Sequence, residues 1–164
     1  MIDKQEMYGL LDRCGIEYEA FEHKPVFTVD EALAAGIPQK GVEVKNLFLC
    51  DPKMRRLYLV TLPLTKKVSL AAIAECIGEK RLKFVSARHL PELIGVEQGS
   101  VTPLAVLNDA SRAICLILDE ELTGKRVGVH PMENTATVYL AVESVVSLAE
   151  AHGSPVCFQT FPTS

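Results

Sequence analysis

Hydrophobic residues recur along this chain in two patterns, one typical of helices and the other typical of strands. Apolar positions spaced three or four residues apart predict helices, and Asp3, Ser69 and Ser86 stand where N-cap residues are expected. A capping-box pattern at Thr28 opens a further short helix, which Gly36 closes. The other predicted helices span residues 2–14, 70–77, 86–94 and 142–152.

Short runs of alternating or β-branched apolar residues predict strands. Two of these runs, residues 42–50 and 57–62, flank the turn sequence D-P-K-M, so we expect them to pair antiparallel. Hairpins mixed with separate helices indicate an α+β fold, with a mixed but largely antiparallel sheet flanked by helices. No repeat or linker interrupts the chain, and residues 1–164 are predicted to form one domain. The other predicted strands span residues 17–22, 84–85, 113–118, 127–130, 136–140 and 155–158.

The composition is that of an ordinary globular protein. Of the 164 residues, 48% are hydrophobic and 23% are charged, and no apolar run reaches the roughly 18 residues of a membrane span. The N-terminus lacks a basic start and an apolar stretch, so we expect a cytoplasmic protein without a membrane partner. Five scattered cysteines without a C-x-x-C pattern argue against a disulfide framework or a zinc site, and no metal or cofactor is expected.

Charge is distributed unevenly along the chain. The net charge of −4 argues against indiscriminate binding to nucleic acid, and DNA is not an expected partner. Lys80, Arg81 and Lys83 nevertheless form a local basic cluster. These three side chains are candidate contacts for the phosphates of an RNA, although a solvated surface explains the same cluster equally well.

The stretch after the fourth predicted helix is predicted to be a stiff loop. Gly99 has no Cβ, so it allows a positive φ and a close approach of another molecule to the backbone. Pro103 fixes its own φ and favours an extended conformation at Thr102. Between these two residues, Ser100, Val101 and Thr102 offer backbone N–H groups and two hydroxyls, which are the donors that a developing oxyanion requires. An ordinary surface turn explains a Gly-x-x-x-Pro sequence taken alone.

Polar residues interrupt or end strands whose neighbours are apolar. Lys45 and Asn46 lie within the predicted 42–50 strand, where they either face solvent or point into a ligand cleft. In a cleft, the lysine would bind a phosphate or a ribose edge. His130 ends a strand directly before a proline, and Asn134 precedes the next strand. A structural role explains each of these residues when it is considered alone.

Signatures of several common enzyme classes are absent from the sequence. The chain contains no G-x-S-x-G, H-E-x-x-H, Walker or G-x-G-x-x-G motif, and its carboxylates form no evident catalytic pair. Residue order alone leaves a Ser-His-Asp arrangement open, but no local signature supports one. The candidate chemistry therefore lies in the loop and the polar strand residues.

Three segments carry a resemblance to a known family: V-K-N-L-F-L at residues 44–49, Q-G-S-V-T-P-L at 98–104 and V-H-P-M-E-N-T-A-T-V at 129–138. Together they resemble the YbaK/ProX family of free-standing editing domains, which hydrolyse mischarged aminoacyl-tRNA and are related to the insertion domain of bacterial prolyl-tRNA synthetase. The resemblance runs from His23 to the final predicted helix. The three segments are most similar to the ProX branch, which is implied to remove alanine from tRNA(Pro), and less similar to the cysteine-clearing YbaK branch.

The resemblance implies hydrolysis, by water, of the ester between an amino acid and the terminal ribose of tRNA. Backbone N–H groups from Gly99 to Thr102 would stabilise the developing oxyanion, and losing one such donor typically costs roughly 100- to 1000-fold in rate. Lys45 would bind the terminal phosphate or ribose. No residue is an evident general base, so the family favours water positioned by the loop and by the adjacent ribose hydroxyl. The remaining predicted substrate contacts are Leu33, Asn46, Phe48, Pro103, His130 and Asn134.

The same resemblance explains why a separate editing site is needed. A missing methylene is worth only about 1–3 kcal/mol, so a synthetase pocket for proline cannot strongly reject alanine. A second pocket that admits alanine and excludes proline would complete the selection, and Phe48 and Leu33 are the predicted apolar walls. The expected partners are the acceptor end of mischarged tRNA(Pro) and, as a further possibility, prolyl-tRNA synthetase.

Three alternatives to this interpretation stay open on the sequence. The first is a deacylase of the same family that acts on Cys-tRNA(Pro) or on Ser/Thr-tRNA. The second is a catalytically idle module that binds tRNA or a synthetase. The third is a small-ligand-binding protein, which would lack the salt-dependent tRNA affinity that phosphate contacts produce.

Overall fold

The computed structural model describes residues 1–26 and 29–163, without the side chains at positions 29, 32 and 33. Local capping sets the ends of several of its helices. Helix α1 (Lys4–Arg13) begins where the Asp3 carboxylate accepts a hydrogen bond of 2.9 Å from a first-turn amide, as the sequence predicted. Helix α2 (Val29–Ala34) is short. Thr28 of the predicted capping box lies outside the described residues.

The later helices follow the predicted positions with one change. Helix α3 (Leu70–Ile77) is capped by the hydroxyl of Ser69 and ends at a left-handed glycine. The predicted cap at Ser86 is wrong, because that side chain makes no capping hydrogen bond and a single 3-10 turn follows it. Helix α4 (Leu90–Ile94) begins only after that turn, with Pro91 in its first turn, where the missing N–H costs nothing. Helix α5 (Val142–His152) ends at a further left-handed glycine.

The described strands are β1 (Tyr18–Glu22), β2 (Val42–Cys50), β3 (Leu57–Pro63), β4 (Lys83–Phe84), β5 (Cys115–Asp119), β6 (Arg126–Val129), β7 (Ala136–Ala141) and β8 (Val156–Gln159). They form one sheet in the order β1-β7-β6-β2-β3-β5-β8, and β4 pairs with the far end of β2. Four of the seven pairings are antiparallel, whereas β2–β6, β3–β5 and β5–β8 are parallel. This confirms the α+β fold with a mixed sheet.

The two halves of the sheet separate next to strand β2. Strand β2 pairs with β6 only at Val42 and Glu43, whereas its pairing with β3 runs from Val44 to Cys50. Because β2 and β6 diverge beyond Glu43, a space opens between the two strands. The polar residues singled out from the sequence lie around this opening.

Side chains pack on both faces of the sheet. The larger cluster, which includes Phe48 and Leu59, lies against α1, α5 and the 3-10 helix Pro103–Asn108. The smaller cluster, which includes Leu49 and Val60, lies against α3. Adjacent residues of β2 and β3 thus alternate between the two clusters, as strand geometry requires. Within the described part of the chain, no helix has both the length and the apolar character to cross a membrane.

Candidate active site

A cavity of about 430 Å³ lies where β2 and β6 diverge. Its size falls within the range of about 300–1,000 Å³ that is usual for small-molecule sites. The cavity brings together five residues that the sequence singled out: Lys45, Asn46, Gly99, Val101 and His130. The other described lining residues are Val26, Ile37, Gln39, Glu43, Val44, Leu64, Gly128, Val129 and Thr137.

The Lys45 ammonium is fixed in this cavity by the turn that follows β3. Its Nζ donates a hydrogen bond to the backbone carbonyl of Lys66. The Lys66 side chain is in turn held by ion pairs of 2.8 Å to the buried Asp119 and 2.6 Å to Glu121. An ammonium carries three donor hydrogens, so Lys45 retains donors for an anionic ligand. The lysine therefore lies in the cleft rather than on a solvated strand face.

Asn46 connects strand β2 to the loop. It lies opposite Thr61 in the β2–β3 register, and the Thr61 hydroxyl donates a 2.7 Å hydrogen bond to its Oδ1 atom. This bond orients the amide so that Nδ2 donates to the carbonyl of Val101 at 3.3 Å. Asn46 thus holds the loop against the sheet, which is a positioning role.

More of the polar groups of the loop form hydrogen bonds within the protein than the sequence suggested. Gly99 has a φ of +89°, and the Ser100 amide donates to the Glu97 carbonyl at 3.0 Å. The Thr102 hydroxyl accepts from the Leu104 amide at 3.4 Å, at the start of the 3-10 helix. Each of the two hydroxyls accepts a hydrogen bond within the protein and keeps its own O–H, so their donation to a ligand stays a prediction.

Three of the four backbone amides from Gly99 to Thr102 are left without an acceptor. Among the described residues, the N–H groups of Gly99, Val101 and Thr102 donate to no protein atom, and Gly99 lines the cavity. Val101 lies in the cavity wall, whereas Ser100, Thr102 and Pro103 are buried behind it. A rigid loop with unpaired amides beside a cleft provides donors of the kind that stabilise an oxyanion.

His130 is a neutral imidazole with one free nitrogen. Its Nδ1 atom lies 2.9 Å from the carbonyl oxygen of Ala136, and a carbonyl only accepts, so Nδ1 carries the proton. Burial lowers the pKa of His130 below its usual value, and the His23 ring at 6.4 Å between centroids lowers it further. Within the described chain Nε2 has no partner, so it is available as an acceptor in the cavity.

Asn134 supports the cavity from outside its lining. Its backbone amide donates to the Ser100 hydroxyl at 3.0 Å, and its side-chain amide donates to the Val26 carbonyl at 3.4 Å. These two bonds join the loop, the turn after β6 and the segment after β1. Asn134 therefore positions two walls of the cavity, although it does not itself line it.

The two predicted apolar walls are not found in the described lining. Phe48 is 3% exposed and packs in the larger core cluster. Residues 43–46 of β2 line the cavity, and Phe48 lies two positions beyond them, inside that cluster. The side chain of Leu33 lies outside the described residues. The described apolar lining residues are instead Val26, Ile37, Val44, Leu64, Val101 and Val129.

The basic cluster lies on a different part of the surface. Lys80 and Arg81 line a second, open groove together with Lys53 and Arg55. Lys83 lies in β4 and pairs with Cys50 at the far end of β2. Cys50 is five positions from Lys45 along the strand, which corresponds to about 17 Å. The cluster is therefore separate from the cavity.

Sequence reasoning missed several lining residues that are close to predicted ones. Glu43 is two residues before Lys45, so the alternation of β2 already places the two side chains on one face. Gly128 and Thr137 belong to β6 and β7, and only the sheet register brings them to the site. The first signal is present in the sequence, whereas the second depends on long-range pairing.

Comparison with known proteins identifies the class to which this site belongs. The sequence pattern of the aminoacyl-tRNA editing domain family matches residues 23–148, and the chain belongs to that family. It is therefore an enzyme, an aminoacyl-tRNA deacylase that hydrolyses the ester between amino acid and tRNA. The resemblance to the YbaK/ProX family stated from the three sequence segments is confirmed.

Individual relatives cover almost the whole chain. The prolyl-tRNA editing protein ProX of Acetoanaerobium sticklandii is 36% identical over 152 residues, covering 92% of this chain and 93% of the relative. The prolyl-tRNA synthetase associated domain-containing protein 1 of Danio rerio is 36% identical over 157 residues, covering 93% and 85% respectively.

Solved structures share the fold. A crystal structure of a hypothetical protein, 25% identical, superposes with a TM-score of 0.68 over 96% of this chain and 99% of that one. A candidate trans-editing enzyme for prolyl-tRNA synthetase, 21% identical, has a TM-score of 0.68 over 96% of both chains. The fold described above is therefore shared with both of these solved structures.

Proposed function

We propose that this deacylase acts in trans on mischarged tRNA(Pro), and that the amino acid it removes is alanine. The observation that carries the proposal is one cavity that holds a fixed ammonium, a loop with unpaired amides and a neutral imidazole. The name of the Acetoanaerobium sticklandii relative, which is 36% identical, supports tRNA(Pro) as the substrate. The choice of alanine rests on the ProX-like segments of the sequence.

The chemistry follows from the groups that surround the cavity. The amides of Gly99 and Val101, which both line the cavity, hold the ester carbonyl and stabilise its negative charge as water attacks. Lys45 binds the terminal phosphate or ribose and fixes the ester in front of the loop. Asn46 and Asn134 hold the loop in place, and His130 presents Nε2 as an acceptor for water or for a ribose hydroxyl. No cofactor takes part in this scheme.

Selection of alanine over proline requires a pocket that is too tight for the proline ring. The described apolar lining residues, among them Val26, Ile37, Val44 and Leu64, supply the walls against which a methyl group packs. Proline has two ring carbons that alanine lacks; placed against such walls they must displace them, and overpacking costs about 1–3 kcal/mol. Exclusion on that scale would complete a double sieve with the synthetase.

The rest of the tRNA must reach beyond the cavity. The groove beside Lys80 and Arg81, with Lys83 nearby on β4, is exposed and basic, and we assign it to the phosphates of the acceptor stem. Prolyl-tRNA synthetase is the proposed partner that releases the mischarged tRNA, and the cytoplasm is the proposed site of action. We also propose that residues 1–164 act as one editing domain, because β1 and β8 pair with β7 and β5 of the same sheet.

The test is a panel of tRNA(Pro) charged separately with alanine, cysteine, serine and proline. We expect hydrolysis of Ala-tRNA(Pro) to be fastest and Pro-tRNA(Pro) to be spared. Preferred release of cysteine or serine would overturn the choice of alanine and leave a deacylase of different specificity. Release from none of the four, with tRNA binding retained, would overturn the proposed substrate and favour an idle binding module.

A further inference from the structure

The cavity contains one acidic group that the mechanism above does not use. Glu43 is the only carboxylate among the described lining residues, and it lies two residues before Lys45 in β2. Within the described chain it has no cationic partner within 4.0 Å. A carboxylate that lines a cavity without a protein cation is suited to a cationic group of the ligand.

A hydrogen bond from a buried tyrosine holds the Glu43 carboxylate in place. The Tyr139 hydroxyl donates a hydrogen bond of 2.5 Å to Oε1 of Glu43, and Tyr139 is fully buried. The register places Glu43 beside Gly128 and Gly128 beside Tyr139, so the three residues form one row across β2, β6 and β7. Among described contacts Oε2 has no partner, which leaves one oxygen for a ligand.

Glycine at position 128 makes this arrangement possible. A Cβ at that position would lie 2.6 Å from Cε1 of the Tyr139 ring, closer than carbon atoms approach. The ring therefore crosses β6 over the space that a side chain would occupy, and this brings its hydroxyl to Glu43. The result is a carboxylate whose position is set by a buried, immobile donor.

The charges of the cavity match the two ends of an aminoacyl ester. Glu43 and Lys45 project from one face of β2, with Cα atoms about 7 Å apart. An amino acid linked to a 3′-terminal nucleotide carries a phosphate at one end and a free α-amino group at the other. A free α-amino group has a pKa near 8, so it is predominantly protonated at neutral pH.

We propose that Glu43, positioned by Tyr139 across Gly128, binds the α-ammonium group of the esterified amino acid. This inference rests on the proposed deacylase function of the cavity, and it adds a requirement that the oxyanion chemistry does not have. The enzyme then reads the free amino group of its substrate. It should discriminate against esters whose amino group is acylated, since these have lost the cation that the carboxylate binds.

The experiment compares hydrolysis of Ala-tRNA(Pro) and N-acetyl-Ala-tRNA(Pro) by the parent, Glu43→Gln and the control Glu92→Gln. The amide of E43Q still accepts from the Tyr139 hydroxyl, so the fold is retained, and circular dichroism checks it. We expect kcat/KM for Ala-tRNA(Pro) to fall roughly 10- to 100-fold in E43Q, with little change for the N-acetyl ester. The exposed Glu92 in α4 lies outside the described cavity lining, so E92Q should match the parent on both substrates.

The outcomes separate this inference from the proposed function. If the parent hydrolyses Ala-tRNA(Pro) and E43Q keeps the same preference for it over the N-acetyl ester, the assignment of Glu43 is overturned. If the parent hydrolyses neither ester, the proposed deacylase function itself is overturned.

Tyr139→Phe tests the positioning of Glu43 separately, because it keeps the carboxylate but removes the hydroxyl that donates to it. We expect Y139F to raise KM for Ala-tRNA(Pro) about 3- to 10-fold, and an unchanged KM would contradict the positioning role.

Discussion

Replacing Gly128 with alanine should destabilise the protein far more than a single methyl group would suggest. The new Cβ would lie 2.6 Å from Cε1 and 3.1 Å from Cδ1 and Cζ of the Tyr139 ring. The ring is fully buried, and the Phe21 ring lies edge-on at 6.0 Å between centroids. Tyr139 therefore cannot swing into open space to relieve the overlap.

The expected cost combines two effects. Overpacking a filled site costs about 1–3 kcal/mol, and weakening a hydrogen bond to a charged acceptor costs about 1.5–3 kcal/mol. The two effects share one displaced ring and do not add fully, so we expect the free energy of unfolding to fall by about 3 kcal/mol. For a domain of this size that corresponds to a drop of roughly 6–12 °C in Tm.

Urea unfolding followed by circular dichroism measures this change, and a double-mutant cycle identifies its cause. In a Tyr139→Leu background no ring covers position 128, so Gly128→Ala should cost less than about 1 kcal/mol there. Gly9→Ala is the matched control, because a Cβ in α1 meets only the flexible end of Arg13 at 3.3 Å. That change should be neutral or stabilising. An equal cost of Gly128→Ala in both backgrounds would refute the reasoning.

Three further predictions concern stability, pH and tRNA binding. The buried Asp109 carboxylate accepts from three backbone amides and one hydroxyl, so Asp109→Ala should lower the free energy of unfolding by about 3 kcal/mol, measured by urea unfolding; a loss under about 1 kcal/mol would contradict this. Burial lowers the pKa of folded His130. The unfolded chain therefore takes up a proton first as pH falls below about 6.5, and stability is lost as pH decreases. Unfolding at pH 7.5 and 5.5 should show a smaller pH effect in His130→Gln, and an identical effect would rule out this residue as a source. Replacing Lys80 and Arg81 with alanine should weaken tRNA binding. It should also make the slope of log K against log salt concentration shallower by about 0.7–0.9 per lost phosphate contact. An unchanged slope in a filter-binding titration would show that the groove does not bind tRNA phosphates.

Local sequence signals were sufficient for most of the fold. Asp3 and Ser69 cap helices as predicted, because a cap is a contact between residues three positions apart. The β2–β3 hairpin follows from its turn sequence. The parallel pairings β2–β6, β3–β5 and β5–β8 could not be derived this way, since they join segments far apart in the chain and carry no turn signature.

In the candidate site, too, some features follow from the local sequence and others depend on long-range pairing. Strand alternation accounts for Glu43, because it lies two residues before Lys45 and therefore on the same face of β2. By contrast, the row of Tyr139, Gly128 and Glu43 depends on the register of three strands, and no local pattern encodes it. The unpaired amides of the loop are not encoded locally either, because an acceptor for an N–H can come from any part of the folded chain.

The most direct test of the account is the single-turnover rate of Ala-tRNA(Pro) hydrolysis by Lys45→Met compared with the parent. Methionine keeps much of the length of the side chain but removes the ammonium that Lys66 holds in the cavity. The account predicts a loss of about 100-fold or more with an unchanged circular dichroism spectrum, because a misplaced ester no longer faces the loop amides. A rate within about threefold of the parent, a difference well under 1 kcal/mol, would contradict the assignment of the chemistry to this cavity.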